Sequence, residues 1–387
     1  YLFGEHDDLS RVGVRALDDQ TVEFRLDAPA PYFMYVLNRP DCAPQPQHAI
    51  EQRGADWIEP GEQVLSGAYR RLRHDDEWIE LERRPDGAMS RVGNSRGVSI
   101  RPMSPVDAVA AYQRDELDVF NTQFSYPSEL ERSAADEMSL DPPAWLVYLS
   151  LRHDHPTLAN VDFRRALALA IDRPALSGVA AANSTVATGS MVPPPLQGHT
   201  PDIALPFDPD QARAALRRSG ADAGVEVVTF DWSENKAVIE MIVSGWEEVL
   251  GLHFPLRTMS MDEWEPGRKT SAIEEDGWFP GYPDPEYFLR LLLHSDAADN
   301  HGGYRSEHFD ALIAAARAEP DGRTRLELFH AADRFAVGED IAAIPLLYTR
   351  NVIVVKPWVE GWWEYGKSWS SFADLTVAPR MTDRRGS

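Results

Sequence analysis

With 387 residues, the chain is long enough for two or three domains at about 100–200 residues each, and for a core that needs no staples. Its 43% hydrophobic and 26% charged composition is that of a globular protein, and the lone Cys42 excludes an internal disulfide framework or a cysteine-built metal site. The 38 basic and 62 acidic residues leave a net charge of −24, which repels phosphate backbones, so no direct nucleic-acid partner is expected; no run of about 18 apolar residues is present to span a membrane.

Residues 1–10 carry acids and no apolar stretch, so they do not read as a signal peptide. Residues 11–26 alternate apolar and polar around an Asp18-Asp19 turn and read as paired strands. Five prolines between 27 and 46 argue against a regular element there. Residues 65–72 and 78–81 read as strands around Asp75-Asp76, and 97–100 as another. Ser104 followed by Pro105 opens a helix, and a strand follows at 117–120. The apolar run 145–151 has strand length, and from there helices and strands alternate. Helices are expected after Asn160 or Asp162, after Asp172, from Asp208-Pro209 to Gly220, and over 235–250 with Gly251 as its stop. Strands are expected at 225–230 and 252–261, and 182–207 reads as a long loop. Beyond an irregular stretch come helices at 307–318 and 323–337, a second apolar run at 344–348, a strand at 352–355 and a tail holding Trp358, Trp362, Trp363, Tyr365, Trp369 and Phe372. The βα alternation argues for an α/β lobe between the two apolar runs.

Catalytic motifs are missing: the chain has no GxSxG elbow, HExxH, phosphate loop or GxGxxG, and no cofactor is implied. His153-Asp154-His155 reads as a polar turn before Pro156 rather than a metal pair, and His294, Asp296, Asp299 and His301 as a solvated loop. The aromatics are more informative. Trp358, Trp362 and Trp363 read as hydrophobic plugs, whereas Trp278, Tyr282 and Tyr304 sit beside Gly and Pro in irregular segments, where either a plug or a stacking pocket between lobes fits the residues.

The segment 277–289 (GWFPGYPDPEYFL) resembles the GW-x-x-D-x-x-DP-x-x-FL stretch of the oligopeptide-, dipeptide- and nickel-binding proteins, the extracellular solute-binding proteins of family 5. The likeness extends in order along nearly the whole chain. It takes in 16–26, the Ser66-Gly67-Ala68-Tyr69 turn and Glu116-Leu117-Asp118-Val119. Further on it takes in RRALALAIDR at 164–173, Asn300 to Tyr304 with FDALI at 309–313, Arg325, AIPLLY at 343–348 and Val359 to Trp362. The resemblance implies an α/β fold: a two-lobed periplasmic-binding-protein-like clamp of type II with an extra lobe-I subdomain, here lacking the N-terminal part of lobe I. Its implied divisions are 1–64 as the remnant of the extra subdomain, 65–144 as lobe I, 145–345 as lobe II, and 346–387 returning to lobe I.

The function expected from the resemblance is capture of a peptide-like or oligosaccharide solute for an ABC-importer permease, by a monomer that does no chemistry. The setting is extracellular or periplasmic, lipid-anchored in the full-length form. A cytoplasmic ligand-sensing domain of a transcription regulator is the alternative, and a carboxylate-pair hydrolase the second alternative. Ligand-binding residues are expected to be Trp278 as an apolar wall, Tyr282, Tyr148 at the hinge, Tyr304 and Ser66 as hydroxyl donors, Tyr69 and Gly281. Two departures matter. Gly281 stands where peptide-binding members carry an Asp for the peptide amine, so the position is expected to offer room and no charge, with Asp284 as a substitute should the loop shift. Residues 85–89 (PDGAM) replace an aromatic pair of the family.

Overall fold

The computed structural model describes residues 12–26, 28–39, 42–59, 61, 63–87, 93–123, 134–179, 185–231, 235–260, 262–264, 270–362 and 372–379. Residues 1–10, Met89, Trp363, Tyr365 and Trp369, read above, and residues 380–387 lie outside them.

Two short strands, β1 (Val14–Asp18) and β2 (Thr21–Phe24), pair antiparallel across the Asp18-Asp19 turn. Helix α1 (Phe33–Leu37) interrupts the proline-rich stretch, which is more regular than its composition implies, and helix α2 (Gln47–Arg53) follows it. A meander follows, of β3 (Tyr69–His74), β4 (Ile79–Arg83) and β5 (Gly97–Ile100). Helix α3 (Pro105–Gln113) starts as read: the Ser104 hydroxyl oxygen accepts the amide of Asp107 at 3.1 Å. Strands β6 (Val119–Gln123) and β7 (Met138–Leu140) end this half of the chain.

The larger unit begins with β8 (Trp145–Leu151), then α4 (Val161–Leu169), α5 (Arg173–Val179) and β9 (Thr185–Ala187). It continues with α6 (Pro209–Ser219), β10 (Val227–Phe230), α7 (Lys236–Leu250), β11 (Leu256–Met259), β12 (Ile273–Trp278), α8 (Glu286–Leu293), α9 (Glu307–Ala318), α10 (Gly322–Arg334) and β13 (Ala343–Thr349). Its six strands form one sheet in the order β11-β10-β12-β8-β13-β9. The two apolar runs read from the sequence are β8 and β13, and they pair antiparallel, Tyr348 opposite Leu146 and Thr349 opposite Trp145. They are apolar on both faces because helices cover both. One core holds Val147, Leu149, Phe163, Leu167, Ile239 and Trp246 on the side of α4, α6 and α7. The other holds Leu146, Phe288, Phe309, Phe329 and Tyr348 on the side of α8, α9 and α10. Helix stops fall where glycine permits a left-handed residue: Gly220 at φ 70° and Gly251 at φ 69°.

After β13 the chain leaves this sheet and returns as β14 (Asn351–Val355), which lies between β6 and β7. Trp358 and Trp362 pack against Ile353, Val355 and Val359 in the smaller half, and β15 (Val359–Glu360) pairs with β16 (Thr376–Val377). The two halves are thus joined by two short crossings, 141–144 and Arg350, which run side by side: the Asp141 amide donates to the Asn351 carbonyl at 3.0 Å.

Candidate functional site

The topology places the site before any side chain does. Strand β10 is parallel to both β11 and β12, and in open α/β sheets ligands bind beyond the carboxyl ends of such strands. Those ends, at Phe230, Met259 and Trp278, share an edge with the start of β8 and the end of β13. Both crossings leave from that edge, so it faces the smaller half.

Aromatic rings from distant segments meet there. Trp145 opens β8, and its indole passes so close to Gly277 that a Cβ at 277 would lie 2.7 Å from Nε1. Phe279 stacks on Trp145 with centroids 5.2 Å apart and remains 40% exposed. Trp278 is half-buried, and its Nε1 donates to the Tyr287 carbonyl at 3.1 Å, fastening the loop to α8. Tyr32, just before α1, stacks on Tyr282 at 4.2 Å with planes 7° apart, and Tyr287 meets Tyr282 edge-on at 4.6 Å. Burial, reinforced by the Glu286 carboxylate, pushes the Tyr32 hydroxyl up to about 12, and burial also raises Tyr282, so both stay neutral phenols.

The loop is held from beneath by a buried ion-pair network. Asp284 receives two hydrogen bonds from Arg325, each 2.8 Å, with both side chains 8% exposed. Asp284 also accepts the Glu286 amide at 3.0 Å, and Glu286 pairs with Arg317 at 3.1 Å. Asp284 is therefore committed inside the lobe and does not stand in as a partner for a ligand amine.

A comparison with known proteins bears on what this edge does. The description "Bacterial extracellular solute-binding proteins, family 5 Middle" matches residues 2–300. The chain belongs to this family. It is 30% identical over 377 residues to the periplasmic oligopeptide-binding protein OppA of Salmonella typhimurium, spanning 91% of this chain and 67% of the relative. The probable deoxycholate-binding periplasmic protein YgiS of Escherichia coli is 26% identical over 377 residues, 92% of this chain and 68% of that protein. Among solved structures, the oligopeptide-binding OppAIV of Borrelia burgdorferi superposes with a TM-score of 0.81 at 23% identity, over 95% of this chain and 76% of that one. The fold is the two-lobed α/β clamp expected from the motifs.

In this family 5 protein the residues singled out from the sequence fall into three groups. Trp278, Gly281 and Tyr282 come together on the 279–285 loop, but Gly281 offers no room. A Cβ there would collide with Nη1 of Arg39 and stand 2.6 Å from the Tyr287 hydroxyl, so the expected empty, uncharged position is filled by a guanidinium. Tyr148 and Tyr304 are interior residues. The Tyr148 hydroxyl donates to Asp276 at 2.9 Å, so this residue expected at the hinge is turned into the lobe, and Tyr304, 1% exposed, donates to Asp340 at 2.8 Å rather than offering its hydroxyl to the cleft as expected. Tyr69 is likewise engaged, donating to the Phe372 carbonyl at 2.8 Å and receiving Arg83 at 2.6 Å, whereas Ser66 is exposed.

The two histidine clusters carry no gathered ligand set. Nε2 of His153 lies 2.9 Å from the Ala342 carbonyl oxygen, and burial next to Arg164 pushes its imidazole down to about 4, while His294 faces Asp296 and Asp310. Among the described residues, no group of three or more His, Cys, Asp or Glu is arranged to hold a metal. Sequence reasoning missed Tyr32, Arg39, Trp145 and Phe279. The Pro31-Tyr32-Phe33 aromatic pair inside the proline-rich stretch is a signal for Tyr32, and Phe279 stands within the 277–289 motif.

Proposed function

We propose that the protein captures a peptide-like solute between its two lobes and delivers it to the membrane permease of an ABC importer. The observation that carries this reading is the aromatic edge at the carboxyl ends of β10, β11 and β12, where Trp145, Phe279 and Tyr282 line the boundary reached by both crossings. An extended peptide needs such a place, with apolar surface for side chains and backbone groups at loop ends for its amides. Family membership and the likeness to oligopeptide-binding relatives support a peptide over an oligosaccharide, and an importer over a transcription regulator. The protein then works outside the cytoplasmic membrane as a non-catalytic monomer, and ligand binding selects the closed arrangement of the lobes. Lobe II is 145–345, lobe I is 65–144 with 346–387, and 1–64 belongs to the extra subdomain. Trp278 and Tyr282 form the lobe-II wall with Phe279 and Trp145, and Ser66 is the lobe-I residue free to face them.

Native mass spectrometry of the purified protein tests this reading. Bound species that fragment with amino-acid mass spacings support it. Sugar-mass species, or a protein that binds no member of a mixed tri- to pentapeptide pool, contradict it.

A further inference from the structure

The crossings at 141–144 and Arg350 join the two halves through the backbone, and the stretch that starts at Tyr32 joins them a second time through side chains. Its two ends grip different halves. At the start, Tyr32 lies flat on Tyr282 of the larger lobe, centroids 4.2 Å apart, and Tyr287 closes on Tyr282 edge-on at 4.6 Å. Arg39, just past α1, lies so near Gly281 that a Cβ there would stand 2.4 Å from its Nη1. Helix α1 buries none of its five residues fully, so its seat rests on ring contacts at its start: Tyr32 on Tyr282, and Phe33 edge-on to Phe24 of β2 at 5.4 Å. At the far end, α2 runs into a 3₁₀ turn over Gly54–Ile58, and Arg71 of β3 donates to the Ile58 carbonyl at 2.8 Å. Gln63 clasps the same residue, accepting the Arg71 amide at 3.0 Å and donating to its carbonyl at 3.1 Å. The far end therefore belongs to the smaller half, and the Tyr32–Tyr282 stack crosses the cleft. A swing of the lobes about the crossings pulls those rings apart. Ring stacking falls away within about an ångström of separation, so the contact is made in the closed arrangement and lost in the open one.

We propose that Tyr32 and Arg39 form a latch, by which the extra subdomain holds the 279–285 loop of the larger lobe and biases the clamp toward closure before any solute binds. A contact made in one arrangement only shifts the equilibrium toward it by the worth of that contact. Opening for solute entry breaks the stack, and closure over the solute remakes it. This rests on the reading of two lobes that close on a solute and is independent of which solute that is.

The test is small-angle scattering of the intact, ligand-free chain beside its Tyr32→Ala, Tyr282→Ala and Tyr32→Phe variants and the double alanine variant, each checked by circular dichroism. Either alanine should raise the radius of gyration with secondary structure unchanged. The double variant should be no larger than the single ones, since one contact is lost in all three, and Tyr32→Phe, which keeps the stacked ring, should match the unaltered chain. By calorimetry with the mixed tri- to pentapeptide pool, Tyr32→Ala should bind about two- to twelvefold more weakly, the worth of a stacked pair. Ligand-free profiles that coincide for the unaltered chain and both alanine variants overturn the proposal. An affinity loss without a change in scattering also overturns it and makes Tyr32 a ligand contact instead. Expansion accompanied by lost helix or strand overturns it too, because the stack then serves folding. If the unaltered chain binds none of the pool, the peptide reading fails while the ligand-free scattering still decides on the latch.

Discussion

Replacing Arg325 by Ala should unseat the ligand loop and destabilise the larger lobe together. The substitution removes both 2.8 Å bonds to Asp284 and leaves a carboxylate that is 8% exposed without its cation. It also withdraws the guanidinium that lies 4.7 Å above the Phe329 ring and 3.8 Å from Glu286. Breaking a buried pair from one side costs about 3–5 kcal/mol, because the remaining charge has lost water and partner alike. Urea unfolding followed by tryptophan fluorescence measures this, and affinity for the peptide pool should fall in parallel, since Asp284 anchors the loop that carries Phe279, Gly281 and Tyr282. The double variant Asp284→Leu/Arg325→Met should recover most of the loss, short of about 1 kcal/mol for the cap that Asp284 gives the Glu286 amide. A single variant within about 1 kcal/mol of the parent, or a double variant no more stable than the single, would refute a structural role for this pair.

Four other substitutions test separate parts of the account. Phe279→Ala should weaken peptide binding with little change in the thermal transition, because the ring is 40% exposed; Trp278→Ala should lower stability by about 2–3 kcal/mol, below the 3–5 of a fully buried ring. Calorimetry paired with urea unfolding distinguishes the two, and the reverse pattern would move the wall from Phe279 to Trp278. Gly281→Val should displace Arg39 and Tyr287 and break the Tyr32–Tyr282 stack, visible as a loss of near-UV dichroism; an unchanged spectrum would contradict the crowding at this position. Asp333 is fully enclosed, accepts from Ser190 and the Met191 amide, and burial lifts its carboxyl to about 7 from an ordinary 3.8. The folded chain therefore binds the extra proton between those values, and stability falls as pH rises from about 4 to about 7. Asp333→Asn should flatten that slope in unfolding measured across the range, and parallel profiles for the two proteins would count against the burial argument.

How much of this was legible depended on what each residue faces. Strands β8 and β13 were readable as apolar runs because both of their faces are covered. The helix over 236–250 was readable because one stripe is buried and Gly251 stops it. Strand β12 was not, although it lies mid-sheet. Glu274, Glu275 and Asp276 break the apolar pattern, and only the fold supplies what two of them need: the Thr229 hydroxyl for Glu275 and the Tyr148 hydroxyl for Asp276. The family motifs were legible, but many of their most distinctive residues hold the lobe together. Arg164 and Tyr304 converge on Asp340, and Asp284 meets Arg325, so a motif that identifies the fold is a poor guide to the ligand. The aromatic edge itself was illegible because Tyr32, Arg39, Trp145 and Phe279 come from three separate stretches of chain that no local pattern connects.

Closure of two lobes on a peptide is tested most directly by small-angle X-ray scattering, with and without a saturating tri- to pentapeptide pool. A hinge at 141–144 and Arg350 predicts that the pool reduces the radius of gyration and the maximum dimension together, with secondary structure unchanged by circular dichroism. Calorimetrically confirmed binding with an unaltered scattering profile would contradict capture between the lobes.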